Sequence, residues 1–174
     1  MTINLNVRLL NAEAFEPFGS VIETREKSAY PINDGMAERH HRLAVAEALA
    51  SPEDDTPGRS IISLFETRHQ TLPLHLRILE QHPLGSQAFF PLDGRLWLVV
   101  VAGGHIQPDL SDLHAFIANG DQGVNYAPGV WHHPLIALDH PSRFLVVDRE
   151  GTGNNLNEFR LNVPVIVDQK TAEA

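Results

Sequence analysis

From residue 60 onward, apolar residues fall in short runs closed by turn-forming pairs. The runs are Ile62–Glu66, Leu74–His82, Ser86–Leu92, Arg95–Ala102, Leu113–Ala118, Leu135–Leu138 and Arg143–Asp148. Asp93-Gly94, Gly103-Gly104, Asn119-Gly120 and Pro128-Gly129 supply turns between them. Short strands at near-regular spacing with hairpin-type turns predict an antiparallel sandwich or barrel and disfavour a parallel α/β fold. The run Arg95–Ala102 is apolar on both faces after Arg95, which predicts a central strand covered on both sides. Before residue 60 the pattern is weaker. Asn11 can cap a short helix over Ala-Glu-Ala-Phe-Glu16, ended by Pro17 and Gly19. Residues 39–49 read equally as a short helix or a strand, and the acidic, turn-rich segment 51–58 reads as a solvated loop.

Within Leu74–His82, a period of two places Leu74, Leu76, Ile78, Glu80 and His82 on one side. Three apolar residues followed by a carboxylate and an imidazole predict a barrel interior with a polar mouth. Either ionisable group, buried unpaired, would cost several kcal/mol, so each needs a partner, a metal or a ligand. The plainer reading places them at a frayed strand end in water. With 174 residues, 43% of them hydrophobic, the chain 1–174 is expected to form a single domain. Twenty-two acidic against thirteen basic residues give a net charge of -9, which argues against nucleic-acid and membrane-surface partners. Cysteine is absent, so thiolate chemistry and disulfides are excluded, and a reducing compartment fits best. The N-terminus lacks a basic start followed by a long apolar run, and no stretch approaches the ~18 apolar residues of a membrane span. A cytoplasmic protein is expected.

The spacing Glu80-x-His82-x4-Gln87-x6-Gly94, with Gly129-x2-His132 downstream, resembles the two-part signature of the cupin superfamily. There four polar ligands face into a small jelly-roll β-barrel. In this chain Glu80 takes the place of the first histidine and Gln87 that of the glutamate. A narrower resemblance runs over nearly the whole chain. Phe15–Glu23, Ile32–Gly35 with Glu38-Arg39, Glu80–Pro91, Asn119–Tyr126, Trp131–Leu135 and Asp148-Arg149 are similar to segments of the ureidoglycolate lyase family. This resemblance implies a mainly β, cupin-like barrel with a few short helices. It also implies a cytoplasmic homodimer that cleaves (S)-ureidoglycolate to glyoxylate and urea in allantoin degradation. Asn155-Leu156 stands where the family pattern has an Asn-Cys pair, and Ala127-Pro-Gly129 differs from the more polar turn of relatives.

Such a reaction suits the residues present. Ureidoglycolate is a carbinolamide, so removing its hydroxyl proton lets the C–N bond break, given a base, an acid at the leaving nitrogen and a cation for the carboxylate. No nucleophile is required. The candidate catalytic residues are His132 and Glu80. Candidate substrate contacts are Arg39, Gln87 and Tyr126, with Arg59 and Arg95 as competitors for the carboxylate clamp. Glu80, His82, Gln87 and His132 are the ligand set if a metal is bound. The resemblance implies a divalent ion such as Ni²⁺ or Mn²⁺ and no organic cofactor. Without an ion, the same four side chains would hold the substrate directly. His133 is expected to face away from His132, and Trp131 is expected to pack. The other readings are a metal-dependent cupin isomerase or oxygenase and a non-catalytic cupin that binds a small molecule. Residues Ile3–Val7 and Asn162–Val167 look like exposed edge strands, which favours pairing with a second copy.

Overall fold

The computed structural model describes residues 2–24 and 29–168. The chain begins with β1 (Ile3–Leu9), helix α1 (Ala12–Phe15), a 3-10 turn at Glu16–Phe18 and β2 (Gly19–Ile22). A hairpin of β3 (Ala29–Ile32) and β4 (Ala37–His40) follows. Next come β5 (Arg59–Thr67), β6 (His69–Gln70), β7 (Leu74–Gln81), β8 (Gln87–Pro91) and β9 (Trp97–Gly103). The last elements are β10 (Asp109–Ala118), β11 (Gly123–Tyr126), β12 (Trp131–His132), β13 (Ile136–Leu138), β14 (Ser142–Glu150) and β15 (Asn157–Asp168). Every apolar run singled out from the sequence contributes a strand. Asn11 caps α1 by accepting the Ala14 N–H at 2.9 Å. The ambiguous segment 39–49 is strand only as far as His40; beyond it the chain is irregular, pinned by a bridge between Ala48 and Gly85. Among the described residues no helix is long and apolar enough to cross a membrane.

The strands form a cupin-like architecture of two main sheets. The larger runs β10-β1-β15-β7-β12-β9-β13-β6, and the additional β9–β10 pairing closes its first six strands into a barrel. The second sheet runs β2-β11-β8-β14-β5 and lies against one wall of that barrel. Strand β9 is the shared wall. Its Leu98 and Val100 pack into the closed barrel with Val7, Leu76 and Val165. Its Trp97, Val99 and Val101 pack between the sheets with Phe89, Val124 and Phe144. The two-sided burial expected of this strand is therefore met, and each buried valine contributes about 1.5–3 kcal/mol.

Two expectations are corrected. Strands β1 and β15 are not edges: β1 pairs in parallel with both β10 and β15, and β15 pairs with β7 on its other side. Joining the two ends of the chain in this way closes the barrel and satisfies the backbone groups that an edge would leave open. The inward face of β7 is also not continuous. Leu74 and Leu76 pack towards the closed barrel, but so does Leu79, beside Ala102 and Trp131. The pairing of β7 with β15 shifts between Arg160 and Val165, and that irregularity reverses which residues face inward. Ile78, Glu80 and His82 consequently face the space between the sheets, opposite Leu74 and Leu76.

Candidate active site

The Glu80 carboxylate comes from the end of β7, and its cross-strand neighbour on β12 is His132, which lies against Val101 of β9 on its other side. Because directly opposed residues share a face, this register sends both side chains into the space between the sheets. His82 follows one pleat beyond Glu80. From the opposing sheet, Gln87 of β8 and Tyr126 of β11 lie side by side and face the same space. On the other side of β11, Gly19 of β2 is the neighbour of Tyr126: at φ +143, with a Cβ position only 2.0 Å from the Asn125 carbonyl oxygen, it occupies a place that only glycine fits. The Tyr126 ring stacks on the His132 ring, centroids 4.1 Å apart and planes within 12°.

Two carbonyl groups set the tautomers. His132 Nδ1 lies 3.0 Å from the Val130 carbonyl oxygen, and His82 Nδ1 lies 2.7 Å from that of Asn155. A carbonyl only accepts, so each Nδ1 carries the hydrogen and each Nε2 turns inward. His132 Nε2 is 3.4 Å from Glu80 Oε1 and 3.3 Å from Gln87 Oε1. His82 Nε2 is 3.9 Å from the same Glu80 oxygen and is buried without a hydrogen-bond partner. Burial pushes the Glu80 carboxyl up, but His132 and His82 outweigh that effect by hydrogen bonding and charge and hold it down at about 2. Burial draws the His82 imidazole down, whereas Glu80 and the Asn155 carbonyl lift it further, leaving it above its ordinary value. The cluster is thus built around positive charge: a carboxylate and two inward Nε2 atoms repel one another unless a proton or a cation lies among them.

The donor set fits a divalent ion. One ligand atom from each of Glu80, His82 and His132 lies within 4.8 Å of the others. Both imidazoles are held by carbonyls at their far nitrogens, which is how metal-binding histidines are oriented. The Gln87 carboxamide oxygen is a weaker fourth donor for a first-row metal, so affinity is expected to be modest.

The flanking residues hold this geometry. The Gln81 amide donates to the carbonyls of His105 and Gly129, and the Gly129 N–H donates to the His82 carbonyl. The turn Ala127-Pro-Gly129 is therefore fixed by backbone groups, which the side chain at 127 does not supply. Asn155 anchors the other side: its carbonyl holds His82 and its side-chain oxygen accepts the Leu84 N–H. Leu156, where the family pattern carries a thiol, is 49% exposed and is not part of the cluster. Trp131 points into the smaller core beside Leu79, with its indole N–H on the His105 carbonyl. His133 turns away from the cluster into a neighbouring cleft, where burial draws its imidazole down.

The structure does not bring the expected arginines to this point. Arg39 is exposed on β4, and its neighbour His40 lines a groove with Ala88, Asn125 and Val147 on the outer face of the second sheet. Arg59 pairs with Glu150, and Arg95 donates to the Pro141 carbonyl. One residue that sequence reasoning left without a role is Asp148. Strand alternation puts it on the inward face of β14, beyond Val146, with one buried oxygen unpartnered and a carboxyl pushed up by burial. Its neighbour Arg149 is a strut. The guanidinium donates to the carbonyls of Leu49 and Thr152 and fills the space left by Gly58, Gly85 and Gly151. An opening of about 470 Å³ leads to Glu80 between Phe65 and Glu66 of β5 and the Pro134-Leu135 turn.

Residues 2–168 match the family described as ureidoglycolate lyase. Among curated relatives, a ureidoglycolate lyase of Stutzerimonas stutzeri is 49% identical over 89% of this chain and 88% of its own. One from Escherichia coli is 49% identical over 87% of this chain and 91% of its own. A third, from Burkholderia mallei, is 50% identical over 90% and 89%.

Proposed function

The chain belongs to the ureidoglycolate lyase family, and from that premise we propose that it cleaves (S)-ureidoglycolate to glyoxylate and urea at the Glu80–His82–His132 cluster. The observation that carries this reading is the pair of inward Nε2 atoms converging on one Glu80 oxygen. An elimination from a carbinolamide needs that arrangement: a base for the hydroxyl proton, a donor for the leaving nitrogen and fixed charge beside both. His132 Nε2 takes the hydroxyl proton, and Glu80, ionised at neutral pH, stabilises the resulting imidazolium. As the C–N bond breaks, its electrons pass to the ureido nitrogen, which is protonated from the side of His82. Gln87, whose oxygen faces His132, has its amide hydrogens free to donate to the ureido carbonyl. Tyr126 keeps the His132 ring flat and dry by stacking. Its own hydroxyl, pushed up by burial, does not ionise at neutral pH.

That relay belongs to the ion-free cluster; Glu80, His82 and His132 would instead hold a divalent ion such as Ni²⁺ or Mn²⁺ when one is bound, and the ion would then supply the positive charge that makes the hydroxyl proton easier to lose, because a metal-bound Nε2 has no lone pair to accept it. Assembly is proposed as a homodimer. With β1 and β15 paired, the longest free edge among the described residues is β5, which ends the second sheet and exposes Ile62 and Leu64.

The test is the time course with racemic ureidoglycolate before and after chelation. Glyoxylate formation is expected to stop at half the racemate, to fall after exhaustive chelation and to return with Ni²⁺ or Mn²⁺. Consumption of both enantiomers at equal rates would contradict the assigned substrate. Full turnover by metal-free protein, checked by elemental analysis, would remove the ion and leave proton transfer by the side chains alone.

A further inference from the structure

Beside the opening to Glu80 lies a larger cleft of about 720 Å³. It forms where β7 and β13 part. Strand β7 meets β12 only at Glu80, while β13 pairs onward with β6, so among the described residues those of β7 before Glu80 have no strand partner on that side. Arg77 and Ile78 of β7 form one wall and His133 the other, and Pro134 and Leu135 border both this cleft and the Glu80 opening. The two spaces are therefore neighbours along a single strand. Three steps along the strand lead from Arg77 to Glu80, about 10 Å between α-carbons. That span is within the combined reach of an arginine side chain and a small hydroxy acid.

Charge makes Arg77 stand out. The Glu80 opening carries the carboxylates of Glu80 and Glu66, which repel an anionic substrate. Among the described residues lining the two cavities, Arg77 is the one arginine. Its guanidinium is engaged by no hydrogen bond or ion pair in the described structure, whereas Arg59, Arg95, Arg143 and Arg149 are each committed elsewhere. A planar fork left free at the rim of a site for a carboxylate-bearing substrate matches that group bidentately.

We propose that Arg77 binds the substrate carboxylate, which makes the cleft between β7 and β13 the anion-recognition subsite of the elimination site. This inference rests on the reading of the Glu80–His82–His132 cluster as a ureidoglycolate-cleaving centre. The test compares ureidoglycolate with N-(hydroxymethyl)urea, the same carbinolamide without its carboxylate, which breaks to formaldehyde and urea. In Arg77→Ala, the preference for ureidoglycolate, as a ratio of kcat/KM values, is expected to fall about 30-fold, mostly through KM, as for loss of a charged hydrogen-bonded pair. Inhibition by glyoxylate should weaken by a similar factor while inhibition by urea does not. Arg77→Lys should recover part of the loss, and Arg39→Ala and Arg160→Ala should keep the wild-type preference. An unchanged ratio in Arg77→Ala, equal losses on both substrates, or a loss in Arg39→Ala instead would overturn the assignment. A wild-type protein that cleaves neither substrate would refute the elimination reading itself, a result distinct from any of these.

Discussion

Replacing His132 with alanine is expected to lower kcat by about a hundredfold or more while the protein remains folded. The imidazole is fixed on every side: the Val130 carbonyl holds Nδ1, Tyr126 stacks on the ring, and Nε2 meets both Glu80 and Gln87. Removing it takes away the proton acceptor and a candidate metal ligand together. KM should change less than kcat, because the contacts assigned to the ureido and carboxylate groups remain. His133→Ala is the informative neighbour: it is adjacent in sequence but lies on the wall of the carboxylate cleft, so it should act on KM and its effect on kcat should be far smaller. Steady-state kinetics of both variants, with circular dichroism to verify the fold, checks this. Equal losses, or the larger loss at His133, would show that the assigned faces are wrong.

Glu80→Gln should have a comparable or larger effect, about a hundredfold to a thousandfold in kcat, and a distinctive pH signature. Glutamine keeps the volume but removes the charge that draws two imidazoles inward. The His82 imidazole, lifted by Glu80 in the native protein, should titrate at lower pH in the variant, which NMR of the histidine ring protons can follow. Stability should respond in a defined direction as well. The Glu80 carboxyl is depressed from its ordinary value of 4.5 to about 2 in the folded protein. Its contribution is therefore complete above about pH 4.5 and lost as pH falls towards 2. For His82, raised on folding, the contribution is complete below its unfolded value and lost as pH rises through the folded one. Urea denaturation should consequently show the stability gap between wild type and Glu80→Gln narrowing as pH drops from 4.5 to 2. A gap that widens over that interval would mean the carboxylate is not held ionised by the two histidines.

The parts of this arrangement visible in the sequence are those governed by local periodicity. The apolar stretch in Arg95–Ala102, short and rich in valine between turn signals, reads as a strand buried on both faces, and it is the wall shared by the two cores. Glu80 and His82 are two residues apart and share a face by alternation, and the resemblance of Gly129-x2-His132 to the second cupin motif supplies their partner. Other features depend on contacts that no local pattern encodes. The shift in β15 that reverses the inward face of β7 is set by how two remote strands align. The parallel pairing of β1 with β10 and β15 turns apparent edges into interior strands, because it joins the two ends of the chain. The carbonyl of Asn155 that fixes the His82 tautomer is a backbone group, so side-chain identity carries no sign of it. Arg77 is similar. In sequence it is one polar residue alternating along a strand, and its place at the rim exists only because β7 and β13 diverge. Asp148 could have been found by extending the alternation of Phe144 and Val146 by one further step.

Direct measurement of the nitrogen-containing product bears most closely on the central claim, that the cluster breaks the carbinol C–N bond and spares the ureido carbonyl. Purified protein incubated with racemic ureidoglycolate should release urea and glyoxylate in equal amounts, with no ammonia above the uncatalysed background. His132→Ala should suppress both products in parallel. Ammonia and carbon dioxide formed at the expense of urea would show that water attacks the ureido carbonyl, and would contradict the elimination assigned to Glu80, His82 and His132.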